Sequence, residues 1–458
     1  MLIKDTVRRS ARSLTSAKLR TILTSLAIAV GGLTLTITLA AGNGIRAYTD
    51  RLVTSNFDPA ELIVGRDKEI ANNGTPSAEP KEYDESVSSL TVGGDGSSLQ
   101  IKQVTTDDIE ELKKLPFTES VRANYQLSTR YLTREGQKRY TLSAQAYNPA
   151  QKPEVAAGKL PKTGDIAEGQ AMLPEGYLKV LGFRSAEAAL GKTIQIDIQK
   201  PFGSSSKEKV VNALRDGTDL NSLKPESELR TYTIAGVTKK AATSINFGTL
   251  PVLLSEKDSK DIYDYTTIGT TNYQKYTYVF VRVKDGTDPA KIAKAQADLK
   301  AKEYFTQSSK DIQQSITQIV NILQALVGVF GLITVIASVF GIVNTQYISV
   351  LERIREIGLM KALGMRKRDL RRLFMLEAGW IGFLGGALGS GAAILIGIPL
   401  NPWVTKKLDL GAGNSLLIFK PEQIIALIIG LIIIAMLAGY LPARKAARMD
   451  PIEALRTE

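Results

Sequence analysis

At 458 residues the chain exceeds one ordinary globular domain and is expected to fold as two or more units. It contains neither cysteine nor histidine, which excludes a disulfide framework, thiol chemistry, a zinc centre and a Ser-His-Asp triad. Its net charge of +12 points first to nucleic acid, but residues 46–311 carry 37 basic against 36 acidic side chains and the excess flanks apolar segments, so nucleic acid is excluded as a partner.

Four segments, 21–45, 312–351, 378–404 and 423–443, contain no Asp, Glu, Lys or Arg. An uncharged apolar run of about 20 residues is long enough to cross a hydrocarbon core roughly 30 Å thick. Lys4, Arg8, Arg9, Arg12, Lys18 and Arg20 precede the first segment, and eight cations from Arg353 to Arg372 separate the second from the third. Cations resist translocation, so both regions and the C-terminus are expected in the cytoplasm of a multi-pass plasma or inner-membrane protein. Residues 46–311 and 401–421 are then outside.

In chain order, residues 1–20 read as an amphipathic helix at the membrane surface, with Ile3, Val7, Ala11 and Leu14 at helical spacing among the cations. The first span follows at 21–45, read as an uncleaved anchor rather than a signal peptide. Within the outer domain, 60–65 reads as a strand and 67–99 as a disordered polar loop. Thr105 opens a helix with Asp108 in the capping position. Strands are expected at 121–131 and 139–147. A second unit mirrors this one. Residues 276–284 alternate, and Asp288-Pro289 starts a helix that ends before a short strand near 304–307. Residues 46–149 and 271–311 are thus expected to form a split α/β sandwich. Residues 150–270 form an inserted β-rich subdomain, with a polar insertion at 203–229.

Residues 312–326 predict a stalk helix that leads into a second span at 327–348. The loop 349–376 contains a short helix in which Ile354, Ile357, Met360 and Leu363 make an apolar edge among mixed charges. Gly364 fits a left-handed helix-ending position. Such a helix below the membrane suits docking on a soluble protein. The third span, 377–400, contains Gly382, Gly385, Gly386 and Gly389, two pairs spaced by four that allow close helix approach in lipid. An outer loop at 401–421, a fourth span at 422–441 ended by Pro442, and a cytoplasmic tail at 442–458 complete the chain.

Glu352-Arg353-Ile354-Arg355-Glu356-Ile357-Gly358-Leu359, Lys361-Ala362-Leu363-Gly364, Phe383-Leu384-Gly385-Gly386 and the tail from Pro442 to Arg456 resemble the signature of MacB-type, or FtsX-like, ABC transporter permeases. The resemblance implies four transmembrane helices plus an α+β extracytoplasmic domain with a split porter-like part and an inserted β-rich subdomain. It also implies a permease homodimer in the lipid bilayer that binds two copies of an ABC ATPase. Glu352, Arg353, Arg355, Glu356, Gly358, Lys361, Ala362, Leu363 and Gly364 would form the ATPase-coupling interface. The chain has no G-x-x-x-x-G-K-[ST] loop. It is therefore expected to bind no cofactor or metal itself and to have no catalytic residues, with ATP and Mg handled by a separate subunit. Two outcomes are open for the outer domain. It exports or extracts a peptide, antimicrobial or lipid-linked substrate, or it relays motion to an extracytoplasmic protein partner such as a cell-wall hydrolase. An enzyme is the least supported class.

Overall fold

The computed structural model describes residues 8–10, 12, 18–68, 87–91, 98–149, 153–161, 164–200, 212, 215–216, 226–239, 250–408 and 414–456. Their elements, in order, are α1 (Lys18–Asn56), β1 (Glu61–Gly65), β2 (Val87–Thr91), β3 (Ser98–Lys102), β4 (Val104–Thr105), α2 (Thr106–Lys113), β5 (Thr118–Ala123), β6 (Thr129–Thr133), β7 (Ala144–Ala146), β8 (Glu154–Gly158) and β9 (Gln170–Pro174). There follow α3 (Ala186–Ala189), β10 (Thr193–Gln199), β11 (Ser227–Lys239), β12 (Val252–Leu254), α4 (Glu256–Thr267), β13 (Lys275–Tyr276), β14 (Val279–Val283), α5 (Pro289–Ala301) and β15 (Phe305–Ser308). The last group is helical: α6 (Ser309–Glu352), α7 (Ile354–Ala362), α8 (Lys367–Lys407), α9 (Pro421–Ala438), α10 (Tyr440–Arg448) and α11 (Pro451–Arg456). The chain divides into a globular unit, 50–314, and a helical unit, 1–49 with 315–458.

In the globular unit a four-stranded antiparallel sheet has the order β15-β1-β14-β5. β1 and β5 flank β14 with α2 between them in sequence, while β14 and β15 flank β1 with α5 between them. These are two interleaved split β-α-β units. Alternation decides which face is covered. Val279, Val281 and Val283 are buried with Leu62 and Val64 against Ile109 and Leu112 of α2 and Ile292, Ala295 and Leu299 of α5. Phe280 and Arg282 point to the other face. Both helices start on side-chain caps. Asp288 accepts from Ala290 N and is followed by Pro289. Thr105 and Asp108 form a reciprocal capping box.

Asp108 also joins Arg66 and Tyr304, which ties the start of α2 to β1 and the end of α5. Burial alone would raise the Asp108 carboxyl, but the bonds from Arg66 and Thr105 outweigh it and hold the group below its ordinary range. The resulting stability is present at neutral pH and is lost as pH falls through that lowered value. Thr105→Ala is expected to destabilise this unit by about 1 kcal/mol. A thermal melt of the full chain checks it.

The second sheet has seven strands, with the path β6-β10-β11-β9-β12-β7 and β8 on β11. Its core is Leu132, Leu173, Ile194, Ile196, Ile198, Ile234 and Leu254, among others. Helix α4, capped by Ser255, places Ile262 in this core and Tyr263 in the core of the first sheet. There Tyr263 stacks on Tyr276 at 5.3 Å and meets Tyr125 at 5.8 Å.

Several expectations need correction. The strands expected at 121–131 and 139–147 are three short strands, because the chain leaves the first sheet after Ala123 and enters the second at Thr129. The β-rich insertion therefore begins near residue 129, not 150. The loop expected at 67–99 contains β2 and the first two residues of β3, which pair as an antiparallel hairpin. Polar composition hid the alternation of Ser98-Leu99-Gln100-Ile101-Lys102. Residues 69–86 and 92–97 lie outside the described residues, as does most of the insertion expected at 203–229, whose last residues belong to β11. The amphipathic helix expected over 1–20 lies largely outside them as well.

Among the described residues, four helices are long and apolar enough to cross a membrane: α1, α6, α8 and the α9–α10 stretch. The stalk 312–326 and the second span are one uninterrupted helix, α6. The third helix does not stop at residue 400 but runs to Lys407 through Pro399 and Pro402. Asn401 there bonds both the N–H and the carbonyl of Leu417 in the returning loop. Pro442 does not end the fourth helix. The break is at Gly439, and Pro442 lies in the first turn of α10, where a missing N–H costs nothing.

Candidate functional site

The third span meets two neighbours through its glycines, and the two pairs divide the work. A methyl group on Gly382 would lie 2.6 Å from Ala435 Cβ and 2.8 Å from Leu431 O, and one on Gly386 would lie 3.2 Å from Leu431 Cδ1, so this pair packs on α9. A methyl on Gly385 would lie 2.6 Å from Ile28 Cβ and 2.9 Å from Ser25 O. One on Gly389 would overlap the Ala29 carbonyl oxygen and lie 2.9 Å from Leu33 N, so this pair packs on α1. Ser25 and Ala29 are themselves small residues four apart, so both helices contribute to the approach. The core between the spans is Ile28, Val335, Ile342, Ile381, Leu431 and Ala435.

The short helix α7 sits where α6 ends and before α8 begins. It closes with a complete left-handed cap. Gly364 has φ +90, its N–H bonds Lys361 O, and Met365 N–H bonds Met360 O. Helix α7 has two apolar stripes. Ile357 is fully buried with Val350, Leu370, Phe374, Ala443 and Ala446, and Met360 packs on that cluster. Leu359 and Leu363, at i and i+4, are 53% and 79% exposed. Only one stripe can face the bundle, and the tail helices cover the first. Helix α11 packs on α7 and buries Ala454.

The nine residues expected to form one docking surface therefore separate. Arg355, Glu356, Ala362, Leu363 and Gly364 are exposed. Gly358 is buried. Glu352, also exposed, accepts two bonds from Arg20 of α1, at 3.0 and 2.7 Å. That bond holds the Glu352 carboxyl below its ordinary range. Lys361 turns inward and donates to the carbonyls of Ala447 and Met449, at the C-terminal end of α10. Arg353, at the break between α6 and α7, is forked. Its Nε bonds exposed Glu356 at 3.0 Å and its Nη1 bonds Glu377 of α8 at 3.3 Å. The Glu377 side chain is only 3% exposed.

Three residues of this site were missed in the sequence. Leu359 could have been found from its spacing to Leu363. Glu377 is the acidic residue that borders an uncharged segment, a position that itself signals a role. Arg20 had no signal, because its pairing with Glu352 is a long-range contact.

What the arrangement offers is an outward edge of mixed charge and two leucines, fixed from behind by ion pairs to α1 and α8 and by a cap on α10.

Comparison with known proteins places these features in a family. A family model described as FtsX-like permease C-terminal matches residues 328–451, and one described as MacB-like periplasmic core domain matches residues 21–299. A protein of Vibrio parahaemolyticus named macrolide export ATP-binding/permease protein MacB is 26% identical, over 98% of this chain and 60% of that protein. One of Aeromonas hydrophila named macrolide export ATP-binding/permease protein MacB 2 is 34% identical over 40% of this chain and 28% of that protein. An uncharacterized ABC transporter permease of Methanocaldococcus jannaschii is 26% identical over 46% of this chain and 54% of that protein. The chain spans about 60% of the length of the curated relatives that it matches along nearly its whole extent.

Proposed function

Because the chain belongs to the family of MacB-like, FtsX-like ABC transporter permeases, we propose that it is the transmembrane subunit of a transporter in which ATP hydrolysis by a partner ATPase moves the globular unit. The ATP-binding function that the relatives' names include would reach this chain from that partner, which supplies ATP and Mg. Two permease copies would pair and dock two ATPases. The substrate class is one to be exported or extracted: a peptide, an antimicrobial or a lipid-linked molecule.

The observation that carries this reading is the continuity of α6. It starts directly after β15 of the globular unit and ends one residue before α7. At 1.5 Å per residue, its 44 residues span about 66 Å without a break. Within α6 itself no break interrupts the path from Glu352 back to Ser309, so a shift applied at its cytoplasmic end would be carried along one continuous helix. Cation placement supports the orientation, with α7 and the tail in the cytoplasm and the globular unit outside.

The outward edge of α7 is the proposed ATPase contact. Glu356→Lys combined with Leu363→Asp is expected to abolish co-purification of ATPase activity with the detergent-solubilised chain, while the melting temperature stays close to that of the parent. Unchanged association would refute this contact. In proteoliposomes, substrate-stimulated ATP hydrolysis is the expected result. Capture of a cell-wall hydrolase without any transported substrate would instead favour the relay reading.

A further inference from the structure

The end of the helical unit at which α8 starts and α10 finishes displays cations that its own structure does not neutralise. Arg368 and Arg372 lie four apart on α8, and Arg444 and Arg448 lie four apart on α10; all four are exposed. Their helices bury the opposite faces, Leu370, Leu373 and Phe374 on α8 and Ala443, Ala446 and Ala447 on α10. The two helices pack on each other, and Arg371 of α8 lies over the Tyr440 ring of α10 at 5.7 Å.

Three carboxylates of this end are committed elsewhere. Glu352 is held by Arg20, and Glu356 and Glu377 share Arg353. Among the described residues no ion pair joins any of the four arginines to a carboxylate. Two other cations of this end, Lys361 and Lys445, have internal partners. Lys361 caps α10, and Lys445 bonds Tyr347. Four guanidinium groups aimed outward on two adjacent helices need counter-ions from outside the chain.

Their depth identifies the source. Arg368 and Arg372 lie six to ten residues before the uncharged segment that starts at Ala378, about 9–15 Å along the helix. Arg444 and Arg448 follow the uncharged segment that ends at Ala443 by one and five residues. Leu441 and Tyr440, exposed one turn deeper, are placed to enter the acyl region. Arg372 directly precedes the apolar run 373–376 and Arg444 directly follows Ala443, which sets these two at the edge of the apolar stretches, with Arg368 and Arg448 one turn farther out.

We propose that Arg368, Arg372, Arg444 and Arg448 form a binding surface for anionic phospholipid headgroups. The phosphate accepts forked bonds from the guanidinium groups, and the lipid clamps α8 to α10 beneath α7. The inference rests on the four helices crossing a bilayer. It does not depend on which substrate is moved.

The chain has two tryptophans, Trp380 and Trp403. Trp403→Phe leaves Trp380, two turns beyond Arg372 on α8, as the only indole. In mixed vesicles, Trp380 fluorescence is measured with bromine on the acyl chains of either a minority phosphatidylglycerol or the same share of phosphatidylcholine. The expected result is an enrichment of phosphatidylglycerol on the order of fivefold, weakened by salt. The fourfold Arg→Gln variant should lose it, and the fourfold Arg→Lys variant should keep most of it, which separates loss of charge from loss of fold. Equal quenching by both lipids in the parent overturns the proposal, as does enrichment that survives Arg→Gln. Absence of enrichment together with loss of ATPase association in the Arg→Gln variant would assign the arginines to the ATPase instead. Since the quenching assay contains no ATPase or substrate, its failure is distinct from failure of the transporter reading.

Discussion

Glu377→Gln is expected to uncouple ATP hydrolysis from the permease while leaving the ATPase bound. The carboxylate is buried and ion-paired to Arg353. Breaking a fully buried pair costs about 3–5 kcal/mol, because the remaining charge is stranded. Arg353 keeps Glu356 and some contact with water, so the expected cost here is nearer ~2 kcal/mol. The functional effect should exceed the loss of stability. Arg353 occupies the break between α6 and α7 with φ −113 and ψ 24, outside helical geometry, so its side chain fixes the angle of α7. Glu377 sets that angle from α8, while Glu356 draws on the same guanidinium from the docking edge. A protein that engages Glu356 would therefore alter the hold of Arg353 on Glu377, and through it on α8. The check is ATPase stimulation in proteoliposomes beside co-purification and melting temperature. Arg353→Glu with Glu377→Arg should recover part of the stimulation that either single change removes. Stimulation unaffected by Glu377→Gln would refute the coupling role of the pair. Failure of the double variant to improve on the singles would refute the direct interaction.

The sequence revealed the architecture of this protein far more clearly than its contacts. Apolar length and charge placement are one-dimensional signals, so four membrane helices could be read directly from uncharged segments. Local caps were equally plain. Thr105 with Asp108, Asp288 with Pro289, and Gly364 each act within a few residues, and each is found at its expected helix end. What stayed hidden depends on distant partners. The polypeptide from Val121 to Tyr131 alternates throughout, but alternation does not say that Val121 belongs to one sheet and Leu132 to the core of another. Likewise, the apolar spacing of Ile354, Ile357, Met360 and Leu363 announced an amphipathic helix. It could not say that the tail would return to cover Ile357 and leave Leu363 in the open. Nor could it disclose that Glu352 pairs with an arginine more than three hundred positions away, or that Arg353 and Lys361 have partners on α8 and α10.

Gly389 and Gly391 give the sharpest separation of close packing from mere tolerance of glycine in a membrane helix. Both lie in α8, two residues apart, and both have ordinary helical neighbours. At Gly391 an added methyl group meets nothing within 4 Å, so Gly391→Ala should leave stability unchanged or raise it slightly through helix propensity. At Gly389 the methyl would overlap a backbone oxygen of Ala29, and backbone cannot turn aside as a side chain can. Helices α1 and α8 would have to separate, and overpacking of this kind costs about 1–3 kcal/mol for a small group. Gly389→Ala is thus expected to lower the melting temperature in detergent clearly, and Gly389→Val to prevent accumulation of folded protein. Gly382 supplies an internal control. Part of its obstruction is the Cβ of Ala435, so Ala435→Gly should recover some of the stability lost in Gly382→Ala. No change of side chain on α1 should rescue Gly389→Ala, because the obstruction is main chain. Equal melting temperatures for Gly389→Ala and Gly391→Ala would show that α1 and α8 do not touch here. The same spacing of four along one helix would then serve only one neighbour, α9, and α1 would be free to move against the rest of the bundle.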